Sequence, residues 1–234
     1  MDYRKAAIRP ADCLRAGWQL VRDRYWLFVG IVTVGLVVGS LAPLGLFMGP
    51  MVCGIYACLL ARMRGEEISF RTLVGGFEHF VQSFVATLIQ IVPIMAMMVP
   101  VNLLLVLVFL KRLMVRLPQP YPRLAEMLGP WEMALVVVAA TLVIFVLSVF
   151  FGTFFMFSYP LIVDRRLSGW QSVKLSARAS RENFAGAAAL MAATTLVSVA
   201  GSLVCYVGGL LVTPVTLAAW AVAYRNVFPN ERVE

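Results

Sequence analysis

The chain has one histidine, His79, which sits beside Glu78 with no second histidine or cysteine nearby. Zinc centres gather three or four His, Cys or carboxylate ligands, so no metal site is expected. The four cysteines, Cys13, Cys53, Cys58 and Cys205, show neither metal-ligand spacing nor a disulfide framework. Cys53 and Cys58 fall in an apolar run, where a thiol serves as a small apolar filler. No serine lies in an elbow-like motif with a base to activate it. Glu66, Glu67 and Glu78 lie among Arg62, Arg64 and Arg71 and read as solvated ion pairs, not a cation site. A non-enzymatic protein without a cofactor is therefore expected. Charge is scarce as well, at 14% of 234 residues, and no polar segment is long enough for a soluble domain.

What is abundant is apolar. Hydrophobic residues make up 61% of the chain, against about half in soluble domains. Uncharged runs cover residues 25–61, 80–110, 133–163 and 183–224, which are 37, 31, 31 and 42 residues long. A bilayer core is about 30 Å thick and takes a helix of about 20 apolar residues. The two shorter runs fit one span each, and the longer two fit a pair of spans folded back. The expectation is an all-α polytopic membrane protein with six transmembrane helices, a single domain over residues 1–234. The alternative is five spans, with Pro93 and Pro100 breaking the second run into a bent or re-entrant segment. The first span serves as its own uncleaved targeting signal in this reading, since no cleavage site follows a short apolar stretch.

The formal net charge of +8 is distributed unevenly. With six spans, 16 basic residues fall on one side and four (Lys111, Arg112, Arg116 and Arg123) on the other. That bias is the positive-inside pattern, and it predicts both termini in the cytoplasm. It favours contact with anionic lipid and argues against nucleic acid as a partner.

A unit of the chain recurs. Leu14, Trp18, Val21 and Tyr25 share one helical face; a shift of 59 residues gives Leu73, Phe77, Phe80 and Phe84, and a shift of 159 gives Val173, Ala177, Ser180 and Phe184. Basic residues lie opposite the first and third sets, so each reads as an amphipathic helix in the headgroup plane. Ser168 and Gln171 fit a capping box for the third. Pro50, Pro160 and Pro214 mark the even-numbered spans, with Gly54 and Ala218 each four residues further on. A membrane proline kinks its helix and frees a carbonyl that neighbours must satisfy. Three helical hairpins follow, over residues 11–63, 68–163 and 168–228, each preceded by an interfacial helix. Gly45 with Gly49, and Gly208 with Gly209, suit tight turns; residues 118–122 form the longer middle loop.

Several strings carry a resemblance: Gly49-Pro50-Met51-Val52-Cys53-Gly54-Ile55-Tyr56, Arg64-Gly65-Glu66, Phe70 through Gly76-Phe77, Pro160-Leu161-Ile162-Val163-Asp164-Arg165, and Ala223-Tyr224-Arg225-Asn226-Val227-Phe228. With Ser176 and Phe184 they resemble the membrane domain of bacterial glycerophosphoryl diester phosphodiesterases and related small bacterial inner-membrane proteins. The resemblance implies a six-span helical fold in the bacterial cytoplasmic (inner) membrane. It carries over no activity, because in those enzymes a separate soluble barrel performs catalysis. Relatives tend to have an acidic residue where this sequence has Asn226.

Two groups of residues are candidate sites. Arg62, Arg64, Glu66, Asp164, Arg165, Arg166 and Arg225 lie at span ends on the basic side, where arginine suits phosphate. Gln90 and Asn102, with Pro93 and Pro100 between them, are candidates for an intramembrane polar pocket, since an amide facing lipid is costly. The first group predicts a protein that binds or organises membrane lipids, anionic phospholipids above all, or a membrane-protein partner or second copy. The second predicts a carrier or channel for a small or amphiphilic solute. An auxiliary scaffold subunit would leave the same marks.

Overall fold

The computed structural model describes residues 3–41, 46–115, 130–204 and 207–229. Among them every regular element is helical: α1 Pro10–Arg22, α2 Tyr25–Leu41, α3 Met48–Met63, α4 Phe70–Val74, a 3-10 turn Gly75–His79, α5 Phe80–Val115, α6 Pro130–Phe155, α7 Ser158–Arg165, α8 Gly169–Glu182, α9 Phe184–Val204 and α10 Gly208–Val227. Gly45, Cys205 and the loop 118–122 lie outside the described residues.

Among the described residues, four stretches are long and apolar enough to cross a membrane: Phe70–Pro93, Ala134–Arg165, Phe184–Leu203 and Gly208–Val227. A fifth appears if α1 and α2, which meet at 99°, count as one broken span. The expected six are not reached by this measure. The run 25–61 yields helices of limited length, 17 residues in α2 and 16 in α3. At about 1.5 Å per residue each is about 25 Å long, somewhat short of hydrocarbon about 30 Å thick.

The chain divides into two compact units, Met1–Ile89 with Gly152–Glu234, and Gln90–Phe151. The first has its core among α2, α3 and α10, where Phe28, Ile31, Ile55, Leu59 and Ala218 are fully buried. Its three amphipathic segments pack on helices that carry a proline: α1 on α10, the 3-10 turn on α3, and α8 on α7. In each, the expected face is covered in part, with Val21, Leu73, Val173 and Ser180 buried, and small residues beside it are buried as well. Cys13, Gly17 and Val21 are buried in α1 while Trp18 is half exposed; Gly76 is buried beside half-buried Phe77; Ser172, Ser176 and Ala179 are buried in α8 while Phe184 is exposed. Small residues turn inward because they let backbones approach, as at helix interfaces in membranes. A methyl at Gly17 would lie 2.6 Å from the Ala219 nitrogen. One at Gly76 would collide with the Pro50 carbonyl and lie 2.5 Å from the Gly54 nitrogen.

The second amphipathic segment also departs from a continuous helix, breaking into α4 and the 3-10 turn before α5 begins. Adjacent Gly75 and Gly76 weaken an α-helix at this point. Gly208 and Gly209 open α10 instead of forming its turn, and Gly208 lies directly against the Gly201 carbonyl of α9.

Pro50 and Pro160 are each the third residue of a helix, α3 and α7. A first-turn proline lacks an N–H that has no intrahelical partner in any case, so these two begin helices and do not kink them. Pro214 lies inside α10. Between α6 and α7 the backbone opens at Met156 and Phe157, and Ser176 closes the gap: its hydroxyl donates to the Phe154 carbonyl at 2.7 Å and accepts the Phe157 N–H at 3.1 Å.

In the second unit, Pro93 and Pro100 both lie inside α5, which continues past each. A re-entrant break is not what this helix adopts. Its outward side chains are apolar: Val92, Val99, Leu103 and Val106 on α5, and Leu135, Val138, Leu142 and Val146 on α6, are all exposed. So much exposed apolar surface is foreign to a molecule in water and natural against hydrocarbon. Asn102, Thr141 and Ser148 each donate to the carbonyl four residues earlier, at 2.9, 2.8 and 2.7 Å, so the helix absorbs its own polar groups.

Candidate functional site

The seven charged residues at the span ends all lie in the first unit. Within the first unit they separate into three groups. Arg62, in the last turn of α3, donates through Nη2 to Asp23 Oδ2 at 3.1 Å and through Nε to the Leu20 carbonyl at 3.5 Å. It thereby pins the corner where α1 turns into α2. Arg64 and Glu66 pair with each other across the turn that follows, at 2.5 and 3.0 Å. Gly65 between them has φ +79°, the left-handed geometry such a turn requires. Hydrogen bonding to Arg64 holds the Glu66 carboxyl below its ordinary range, and Glu66 in turn raises Arg64. Both are well exposed, so the pair contributes little to stability.

The third group is centred on Asp164, at the end of α7. Its carboxylate accepts the Tyr224 hydroxyl at 2.7 Å and both terminal nitrogens of Arg225, at 3.2 and 3.0 Å. Arg165 Nε lies 3.7 Å from the same carboxylate, and Arg165 Nη2 donates to the Pro229 carbonyl at 3.1 Å. The Asp164 side chain is 11% exposed and that of Arg225 is 15%. This forked, shielded pairing ties α7 to α10, and two-pronged arginine–carboxylate bonds are the strong kind. Arg166 is exposed and caps α7 in the left-handed region, with φ 50°. Asn226 donates to Cys13 Sγ at 3.8 Å, and Arg225 supplies the charge pairing with Asp164.

Two members of the expected cluster do share a surface. Arg62 and Arg225 line an open cleft of about 430 Å³ with Gln19 of α1, Met63 of α3 and Asn226 of α10. A guanidinium has five N–H donors, and Arg62 commits its Nε and Nη2 to Leu20 and Asp23. The cleft therefore offers a cation with donors to spare beside neutral amides.

The amide pocket does not form from the two residues named for it. Asn102 is exposed and bonded to its own helix at Met98. Gln90 lies twelve residues earlier in the sequence, about 18 Å along the axis, with its amide nitrogen buried and without a hydrogen-bond partner among the described residues.

Sequence reasoning missed two constellations. A polar seam joins α3, α5 and α7: Thr87 Oγ1 lies 3.0 Å from the Tyr159 hydroxyl and donates to the Ser83 carbonyl at 2.8 Å, and Tyr56 is fully buried. The second is Asn183, between α8 and α9. Its amide accepts the Ala7 N–H and donates to the Arg4 and Ala179 carbonyls, each at 3.0 Å. With Arg4 N–H bonded to the Val227 carbonyl at 2.9 Å, the amino-terminal segment stitches α8 to the end of α10. An isolated polar residue at the edge of an apolar run was the available signal for Asn183; none marked the tyrosines.

Among the described residues, no three of His, Cys, Asp and Glu come together as a metal site would need. Comparison of the chain with protein-family models, curated proteins and solved structures gives no match.

Proposed function

We propose that this chain is a non-enzymatic, multi-pass protein of the bacterial cytoplasmic membrane that binds anionic phospholipid headgroups on the cytoplasmic side. The observation that carries the proposal is the cleft between α1, α3 and α10, with Arg62 and Arg225 on its wall. Because α1 turns 99° from α2, a membrane-crossing α2 would lay α1 in the headgroup plane, with the cleft at the same depth. Basic pockets at that level hold phosphate headgroups. Six spans in three hairpins, with both termini cytoplasmic, remain the preferred topology. The recurring placement of Gly17, Gly76 and Ser176 against proline-bearing helices supports a threefold internal repeat, since the shifts of 59 and 159 residues relate these three positions too. The resemblance to phosphodiesterase membrane domains points to the same membrane.

The full chain, extracted in mild detergent, is expected to retain anionic phospholipid in native mass spectrometry. Arg62→Gln should lower retention by the lipid bound at the cleft about tenfold, the scale of one hydrogen bond to a charged group. A wild-type protein that carries no anionic lipid would remove the proposal.

The carrier reading is favoured by one observation, the buried and unpartnered amide nitrogen of Gln90. Leaving such a group unpaired costs about 1–3 kcal/mol, which a bound solute would offset. On that reading, proteoliposomes show solute flux that Gln90→Ala abolishes; vesicles as tight as lipid alone would exclude it.

A further inference from the structure

We infer that the outward face of α8 is a second docking stripe, for the headgroup of a multiply anionic phospholipid. The inference rests on the membrane reading above but not on the cleft. Lys174, Arg178 and Arg181 line a recess of about 520 Å³ with Ala177 and Glu182. Trp170, 62% exposed, precedes Lys174 by four residues, and the spacing 170, 174, 178, 181 runs along one face of a helix. An aromatic followed by three cations is the composition of a helix seated at the membrane interface.

The charge of this stripe is only partly offset within the protein, through the attraction of Arg178 to Glu182. Among the described residues, no carboxylate lies within ion-pair distance of Lys174, Arg178 or Arg181, whereas Arg62, Arg64 and Arg225 each have one. Glu182, the acid on the rim, is already held by Lys5 at 2.8 Å and by the Tyr3 hydroxyl at 2.7 Å. Like charges four residues apart oppose one another on a helix, so this arrangement calls for a counter-anion. Three cations match a ligand with two phosphates better than one with a single charge.

The stripe is also held rigidly. Ser168 caps α8 by accepting the Gln171 N–H, Ser176 bridges to Phe154 and Phe157, and Asn183 fixes the far end to Ala7 and Arg4. Gly169 lies directly against the Gln82 carbonyl. With the inner face locked, the outer side chains are presented in a constant register. The ligand is lipid-borne and not soluble phosphate, because Trp170 and the flanking apolar helices α7 and α9 set the stripe beside hydrocarbon.

The test titrates the full chain in mild detergent with cardiolipin, phosphatidylcholine and inorganic phosphate, read by native mass spectrometry. The triple variant Lys174→Gln, Arg178→Gln, Arg181→Gln should bind cardiolipin about 100-fold more weakly, the order expected on removing three surface cations from an anionic interface. Its melting temperature should stay at the wild-type value, because the side chains are outward. Lys174→Arg, Arg178→Lys, Arg181→Lys should bind as the wild type does, and Arg62→Gln should leave most cardiolipin binding in place. Wild-type affinity in the triple glutamine variant would overturn the inference, as would displacement of cardiolipin by equimolar inorganic phosphate. If Arg62→Gln alone removes all lipid, the stripe falls and the proposed function stands; if the wild type binds no anionic lipid, both fall.

Discussion

Gly76→Ala is expected to destabilise the first unit severely. The added methyl has no free volume: the Pro50 carbonyl and the Gly54 nitrogen and Cα, the last at 2.7 Å, occupy its position. All three belong to the backbone of α3, so no side chain can rotate away. Relief requires the 3-10 turn to lift from α3, which would also uncover the fully buried Leu73. Overpacking a tight contact costs about 1–3 kcal/mol and more where the backbone must move; we expect about 3 kcal/mol, or roughly 10 °C in melting temperature for a unit of this size. The neighbouring Gly75 supplies the control. Nothing lies within 4 Å of a methyl there, and its φ of −55° is ordinary for any residue. Gly75→Ala should therefore match the wild type or slightly exceed it. Thermal unfolding in detergent, followed through labelling of the buried thiols Cys13, Cys53 and Cys58, distinguishes the two; equal melting curves would show that the α3 contact is not tight.

Asp164→Leu is expected to have a comparable effect by a different route. Removing the carboxylate leaves Arg225, at 15% exposure, without its two bonds, and leaves the Tyr224 hydroxyl without its acceptor. Stranding one partner of a buried ion pair typically costs about 3–5 kcal/mol, although replacing both partners by apolar residues is often neutral. The double variant Asp164→Leu, Arg225→Leu should therefore recover most of the lost melting temperature. Glu66→Gln, which breaks the exposed pair with Arg64, should barely move it. If the single and double Asp164 variants melt together, stranded charge is not the cause. The contrast also bears on ligand binding: Arg225, committed to a shielded carboxylate, is chiefly a structural fastener, and a headgroup would meet the donors left over on Arg62 and the cations of α8.

Much of the helical pattern was legible in advance because helix type and apolarity are local quantities. The four uncharged runs correspond to the apolar helices, and Ser168 caps α8 as its residue type and spacing suggested. Span number was less legible: α2 and α3 are only 17 and 16 residues long, and charge counting does not register where a helix ends. The inward faces were legible in part, since Val21, Leu73, Val173 and Ser180 are buried as their spacing indicates, but periodicity finds the bulkiest residues and passes over the small ones. Here the closest approach belongs to Gly17, Gly76 and Ser176, with the aromatics Trp18 and Phe77 left at the margin.

The arginines illustrate the division most clearly. Arg62, Arg64, Arg165 and Arg225 all lie at the ends of apolar runs, where chain order makes them look alike. Folding sends Arg62 to Asp23, 39 residues away in sequence, and Arg225 to Asp164, 61 residues away, while Arg64 turns to Glu66 only two positions on.

By itself the sequence determined that this is an all-helical chain with an apolar exterior, because hydropathy adds up residue by residue along each run. Tertiary structure alone decided which side of each amphipathic segment is covered, which acid neutralises which arginine, and so which basic surface stays open to an anion. Those outcomes depend on backbone separations of a few ångströms between segments far apart in the chain, and no local sum contains them.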